Sequence, residues 1–325
     1  MRRTIKIDFA DFWVGFIKGD NFFYNLLSRH YNVEISNDPD IIFYSCYGRN
    51  YLNYNCVRIF YSAENIRPDF TGCDYALTFD LNNDDRHYRL PLYGIYYQGY
   101  VNDFSLDPLL NPLSRNEAEK RWENKKKFCC MVVSNGKAKK RIDFFKKLSK
   151  FKQVDSGGRY LNNIGTGIGD TVMDKLNFIG QYKFVIAFEN SSYPGYTTEK
   201  ILEPFFADCI PIYWGNPLIE KDFNKKRFIN FNDFANEDDL IQFMLEVDKN
   251  NSLAVDILTE PVFPENKLPI CNHKENVLDF LNSIIEKIGE TKPVAKTQKK
   301  VLHFFSRKIN LVKNYSNILL RKNFR

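Results

Sequence analysis

A chain of 325 residues with 44% hydrophobic and 16% aromatic side chains is long enough for two ordinary domains and a substantial core. The formal charge of +6 hides an asymmetry, because residues 291–325 hold ten Lys/Arg and no Asp/Glu, leaving 36 Lys/Arg against 40 Asp/Glu in residues 1–290. A mildly acidic body excludes a general basic surface for nucleic acid, and no nucleic-acid partner is expected outside the tail.

From the N terminus, TIKIDFADFW reads as a strand, and in the start MRRTIKIDFADFWVGF Asp8 and Asp11 interrupt the apolar run, so it is not read as a signal peptide. NFFYNLLSRHY has the spacing of an amphipathic helix. IIFYSCY, VRIFYSAEN and YALTFD read as strands, the first after the turn NDPD. Strands alternating with helices predict a parallel sheet covered on both faces. Residues 103–127 change character, with turns at Pro108 and Pro112 and then the charged helix RNEAEKRWENKKK, which reads as a linker. A second alternation follows: strand KFCCMVVSN, helix AKKRIDFFKKLSKF, a short strand before VDSGG, helix DKLNFIGQY, strand KFVIAF, helix TTEKILEPFFADC, strands IPIYWG and RFINF, helix EDDLIQFMLEVDK. The pattern predicts two α/β halves of similar size with a cleft between them.

No apolar run reaches the roughly eighteen residues of a spanning helix, so a soluble, cytoplasmic chain is expected. The tail interleaves Leu302, Phe305, Ile309 and Val312 on one helical face with Lys and Arg. That is the composition of a helix lying on an anionic membrane surface, here the inner face. A solubilising tail and a helix packed back on the body remain alternatives. Seven scattered cysteines without a CxxC pair read as buried free thiols in a reducing compartment. Four distant histidines show no metal-ligand spacing. Asp38-Pro39-Asp40 has Asp-x-Asp spacing, but it sits in NDPD, where Asn, Asp and Pro are ordinary turn residues.

The segment Phe188–Glu203, FENSSYPGYTTEKILE, concentrates the most chemistry. An apolar strand ends at Glu189-Asn190, a loop of Ser, Tyr, Pro and Gly follows, and Thr197–Lys200 opens a helical pattern. Ligands bind at the carboxyl ends of strands in open α/β sheets. A helix start adds free N–H groups and a positive dipole end, which suit a pyrophosphate. Thr197 or Thr198 could equally be a plain N-cap. Ser156-Gly157-Gly158 reads either as a close backbone approach to a ligand or as a simple turn.

FENSSYPGYTTEKILEPFFADCIPIYWGNPLIEKDFNKKRFINFNDF resembles the α-1,3/4-fucosyltransferase family, especially its bacterial members. Its Phe-Glu-Asn-Ser stretch, Tyr-x-Thr-Glu-Lys turn and Ile-Pro-Ile-Tyr-Trp-Gly strand stand in the family's order, and the resemblance extends through IFYSAENIRPDF, YALTFD, YRLPLY and VVSNGKAKKRIDFF. The resemblance implies an α/β fold of GT-B architecture, two Rossmann-like domains facing a cleft. It divides the chain into an acceptor-binding part (1–126, linker included), a GDP-fucose-binding part (127–290) and the tail (291–325). It also implies Glu64 as the catalytic carboxylate that deprotonates the acceptor hydroxyl, and Arg141, Asn190, Tyr196, Glu199 and Lys200 as donor-binding residues. Arg141 would bind two phosphate oxygens through its planar fork, Lys200 would act as a point charge, and Glu199 would accept from sugar or ribose hydroxyls. Lys137, Lys139 and Lys140 read as a solvated helix face.

With side-chain cations facing the diphosphate, no metal or other cofactor is expected. The expected reaction is inverting transfer of L-fucose from GDP-fucose to the 3- or 4-hydroxyl of N-acetylglucosamine in an N-acetyllactosamine-type glycan, as in Lewis-type structures. Rival readings are a transferase for another nucleotide sugar and a catalytically silent glycan- or membrane-binding protein.

Overall fold

The alternation of strands and helices resolves into two parallel sheets, each in its own unit. The computed structural model describes residues 2–100, 105–290 and 292–297, the side chains of 97–100 and 272 excepted. The tail beyond Thr297, with the predicted amphipathic face, lies outside the described residues.

The first unit comprises residues up to Thr78, Asn82–Leu90 and Lys274 onward. Its strands are β1 (Thr4–Ala10), β2 (Asn32–Ile35), β3 (Ile41–Tyr44), β4 (Val57–Ser62), β5 (Tyr75–Thr78) and β6 (His87–Arg89), in the spatial order β2-β1-β3-β4-β5-β6. All described pairs are parallel. β3 and β4 are buried along their whole length, as central strands covered on both faces must be; β3 is an unbroken apolar run, whereas β4 also buries Arg58 and Ser62. Helix α1 (Phe22–Ser28) starts where the Asn21 side chain accepts from the amides of Phe23 and Tyr24. The helix Lys274–Glu286 belongs to this unit: Phe280 packs edge-on to Tyr75, Tyr31 donates to Asn282, and Arg3 donates to the Ile285 carbonyl. After it, the Val294 amide donates to Asp74 at 2.7 Å, and Val294 and Ala295 are buried.

The second unit comprises Phe79–Leu81 and Pro91–His273. Its sheet runs β8-β7-β9-β10-β11, with β7 (Lys127–Met131), β8 (Val154–Ser156), β9 (Tyr182–Phe188), β10 (Ile210–Trp214) and β11 (Ile229–Asn230). These pairs too are parallel. Its helices are α2 (Leu92–Tyr100), α3 (Arg115–Asn124), α4 (Lys139–Leu148), α5 (Val172–Ile179), α6 (Leu202–Phe206), α7 (Glu237–Lys249) and α8 (Asn251–Thr259).

Three expectations are corrected here. The expected boundary at 126 moves: residues 91–126 fold with the second sheet and 274–290 with the first. The charged helix read as a linker is α3, which buries Ala118 and Trp122, and Trp122 packs edge-on to Phe184 of β9 and donates to Asn251 of α8. A stripe of two apolar residues among eight polar ones is enough to seat it, because its capping box at Ser114 and Glu117 satisfies the helix start locally. The helix predicted over 197–209 shrinks to α6, with 199–201 forming a turn before it.

Candidate functional site

In each sheet the strand order reverses once, and in open α/β sheets such a switch point opens a crevice at the carboxyl ends of the two diverging strands. In the second unit those strands are β7 and β9. A cavity of about 690 Å³ lies there, within the usual range for small-molecule sites. Val133, Ser134 and Asn135 after β7 and Asn190 after β9 contribute to its wall.

Four of the expected donor-binding residues, Arg141, Asn190, Glu199 and Lys200, line this one cavity. Arg141 projects from α4 and is only 1% exposed. Its Nε and Nη2 donate to the Phe188 carbonyl at 2.8 and 2.5 Å, and Nη2 also donates to Asn190 Oδ1 at 2.9 Å. The expected two-point grip on phosphate is therefore revised. The Nε–Nη2 edge is occupied by the end of β9, and Nη1 is the nitrogen left for a ligand. Burial lowers the guanidinium pKa, an effect Glu189 and Glu199 oppose.

The loop carrying Glu199 and Lys200 is held from beneath by two buried polar side chains. Glu189, fully buried, accepts from the Thr198 amide at 2.7 Å and from the Thr198 hydroxyl at 2.8 and 3.0 Å. Asn216 accepts from the Gly195 amide at 2.7 Å and donates to the Thr197 hydroxyl at 3.1 Å. Thr198 is therefore not an N-cap, and its hydroxyl also accepts from Lys200 Nζ at 2.9 Å. The expected helix start over 197–200 is absent because these threonines are claimed by Glu189 and Asn216. The five-residue α6 begins later, at Leu202, without a side-chain cap. The cations of this loop's part of the wall come from side chains rather than from a helix end. Gly215 makes room for Glu189, since a Cβ there would meet its Cγ at 2.4 Å.

The electrostatics alternate in sign. Lys200 Nζ stands 3.4 Å from Glu199 and 3.5 Å from Glu189. Burial would lower the ammonium's pKa, but Glu199 and Glu189 more than offset this and hold it above its usual value. For Glu199 burial acts to raise the pKa, and Lys200 and Lys175 outweigh it, so that the carboxylate stays ionised. Glu189 is raised, by burial first, with Lys200 offsetting only part.

Tyr196 departs from expectation. It is 1% exposed, packs edge-on to Phe79 at 5.1 Å, and is not among the residues lining the cavity. Gly157 lines the cavity, whereas Gly158 is required by packing, as a Cβ there would lie 2.1 Å from the Val133 carbonyl oxygen. Lys139 pairs with Asp143, and Lys140 with Glu237 at 3.0 Å, as expected of a helix face carrying its own counter-charges. Sequence reasoning assigned no role to Glu189, Asn216 or Lys175. Glu189 stood in the FENS motif, while Asn216 and Lys175 gave no local signal.

Glu64 belongs to the first unit, just after β4. Its amide donates to Ser62 Oγ at 3.1 Å, and its carboxylate accepts from the Tyr47 hydroxyl at 3.1 Å. Glu64 is half-buried. Asp38 and Asp40 are turn residues, the Asp38 amide bonding Ser36 Oγ and Asp40 accepting from the Lys6 amide. All seven cysteines are free thiols, six of them buried. Among the described residues no helix is long and apolar enough to cross a membrane.

Residues 7–96 match the model of the α-(1,3)-fucosyltransferase FucT N-terminal domain, and residues 122–256 match glycosyltransferase family 10 (fucosyltransferase), C-terminal part. The α-(1,3)-fucosyltransferase FucT of Helicobacter pylori is 34% identical over 267 residues, 73% of this chain and 55% of that protein. The 4-galactosyl-N-acetylglucosaminide 3-α-L-fucosyltransferase 9 of Bos taurus is 33% identical over 135 residues, 40% of this chain and 36% of its own length. The chain thus spans about half, or less, of the length of these curated relatives. A crystal structure of an α1,3-fucosyltransferase with GDP-fucose superposes with a TM-score of 0.72 and 29% identity, covering 88% of this chain and 91% of that one. That superposition agrees with the paired parallel sheets of a GT-B-like fold. With family models matching residues 7–96 and 122–256, and a sequence relative and a solved structure that agree with both, the chain belongs to the fucosyltransferase family.

Proposed function

We propose that the chain is an inverting fucosyltransferase that moves L-fucose from GDP-fucose to the 3- or 4-hydroxyl of N-acetylglucosamine in an N-acetyllactosamine-type glycan, without a metal. The observation that carries this reading is the convergence of Arg141, Asn190, Glu199 and Lys200 on one cavity at a switch point. Likeness to a solved enzyme with GDP-fucose supports the donor, and the bovine relative's name supports the acceptor.

In the proposed reaction the acceptor oxygen forms a bond to C1 of fucose on the face opposite GDP. The bond from C1 to the diphosphate oxygen breaks, and its electron pair leaves with GDP. Glu64 takes the acceptor's proton. Charge builds on the departing diphosphate, where Arg141 Nη1 and Lys200 would meet it, and fixed donors in a partly enclosed site stabilise such charge without reorganising. Glu199 would accept from sugar or ribose hydroxyls. Retained transfer in EDTA is the expected outcome, and strict dependence on Mn²⁺ would overturn the side-chain account.

The deciding assay offers GDP-fucose with type 1 and type 2 disaccharides and determines the product linkage. Fucose on the 3- or 4-hydroxyl of N-acetylglucosamine supports the reading. A panel of other nucleotide sugars tests the rival donor, and no turnover with any of them would leave a silent glycan binder.

We also infer that the basic tail holds the chain on an anionic membrane surface. Residues 294–297 pack on the first unit, so the test is removal of 298–325, with loss of co-sedimentation on anionic vesicles expected. Undiminished binding would refute that role.

A further inference from the structure

Helix α5 brings one more cation to the cavity. Lys175 stands one turn into the helix, its side chain is 23% exposed, and it lines the same wall as Glu199 and Lys200. Its ammonium lies 2.5 Å from Glu203 Oε2, on α6, and Glu203 is its sole ion-pair partner among the described residues. An ammonium has three N–H donors, so two are left over, and the open side is the cavity. We propose that Lys175 is a third cation of the donor cavity, held in position by Glu203 and directed at the diphosphate of the nucleotide sugar, an inference that rests on the donor reading given above.

A purely structural ion pair fits the observations less well. Glu203 is 3% exposed, and its Oε1 has no hydrogen-bond partner among the described residues. Buried polar atoms left in that state are rare, and a buried ion pair is weak support for stability in any case. Here the carboxylate is deep and the ammonium is at the wall. Glu199 and Glu203 are four residues apart, and the Glu203 amide bonds the Glu199 carbonyl, so Lys175 acts on the charge of both. Glu203 is thus a positioning residue, whereas Lys175 would touch the ligand.

Two measurements test this. In the wild-type protein, labelling of surface amines with an acetylating reagent should modify Lys175, and saturating GDP should protect it while guanosine should not. Equal labelling with and without GDP would overturn the proposal without any variant. By titration calorimetry Lys175→Gln should weaken GDP about tenfold or more, leave guanosine unchanged, and raise the KM for GDP-fucose in parallel. Lys175→Arg should restore most of the loss. GDP affinity and KM within twofold of wild type in Lys175→Gln would reduce the pair to a structural one and overturn the inference. A wild-type protein that binds no GDP would instead overturn the donor reading, and this inference with it.

Discussion

A fully buried carboxylate such as Glu189 is costly unless its oxygens are bonded, and both of its oxygens bond the loop that carries the site. Burial nevertheless holds its pKa above the usual carboxylate range, with Lys200 offsetting only part. A carboxyl whose folded pKa is raised binds its proton more tightly in the folded state. Its stabilising contribution is therefore present below the unfolded value of about 4.3 and is lost as pH rises through the folded value. Glu189→Gln removes that loss. Urea denaturation at a series of pH values from about 4 to 7 should show the stability difference between variant and wild type moving in the variant's favour as pH rises. A constant difference would mean that Glu189 does not titrate differently on folding. That Arg141, Asn190, Glu199 and Lys200 line one cavity was foreseeable only through the family resemblance of the motifs that contain them. Lys175 and Asn216 were not legible in the sequence, because their roles come from partners brought close only by the fold: Glu203 for Lys175, and Gly195 and Thr197 for Asn216. Tyr196 was misplaced because an aromatic residue in a polar loop gives no sign of which way its ring turns, and Phe79 decides it.

At the scale of elements, the sequence revealed those whose apolar pattern was long enough to be unambiguous. β1, β3, β4, β7, β9 and β10 all read correctly as strands, since central parallel strands carry mostly apolar residues. β2, exposed or half-buried throughout, was unread because an edge strand is defined by pairing rather than by burial, here Thr4 with Asn32 to Ile7 with Ile35. α3 was read as a helix but misassigned as a linker, its charged composition outweighing one tryptophan. The structure makes that tryptophan decisive: it is 1% exposed and packs on Phe184 in the core beneath the second sheet. Trp122→Ala should therefore destabilise the fold by about 3–5 kcal/mol, as large-to-small changes at buried aromatic positions do. An exposed linker would predict a change within about 0.5 kcal/mol, so the denaturation midpoint separates the two.

For the molecule as a whole, the proposed work is divided between the units: the proton acceptor is in the first, and the groups for the donor are in the second. Binding and chemistry should then fail separately. Glu64→Gln keeps the shape and the bond from Tyr47 but removes the base. It should bind GDP within about twofold of wild type while transfer falls by roughly 10²–10⁴, the usual worth of a general base. Lys200→Gln should instead lose donor binding, and with it the stabilisation of the departing diphosphate. It removes a charge that Glu199 and Glu189 hold in its ionised form at the cavity, and it should weaken GDP about tenfold or more. Calorimetry with GDP and a transfer assay on the same two variants give four numbers. If Glu64→Gln turned over like wild type, the base would have to be sought elsewhere on the first unit, with the donor cavity unaffected. If instead both variants lost GDP affinity equally, the division of labour itself would be wrong. Differential loss is what distinguishes a group used only in the transition state from one that already acts on the bound donor.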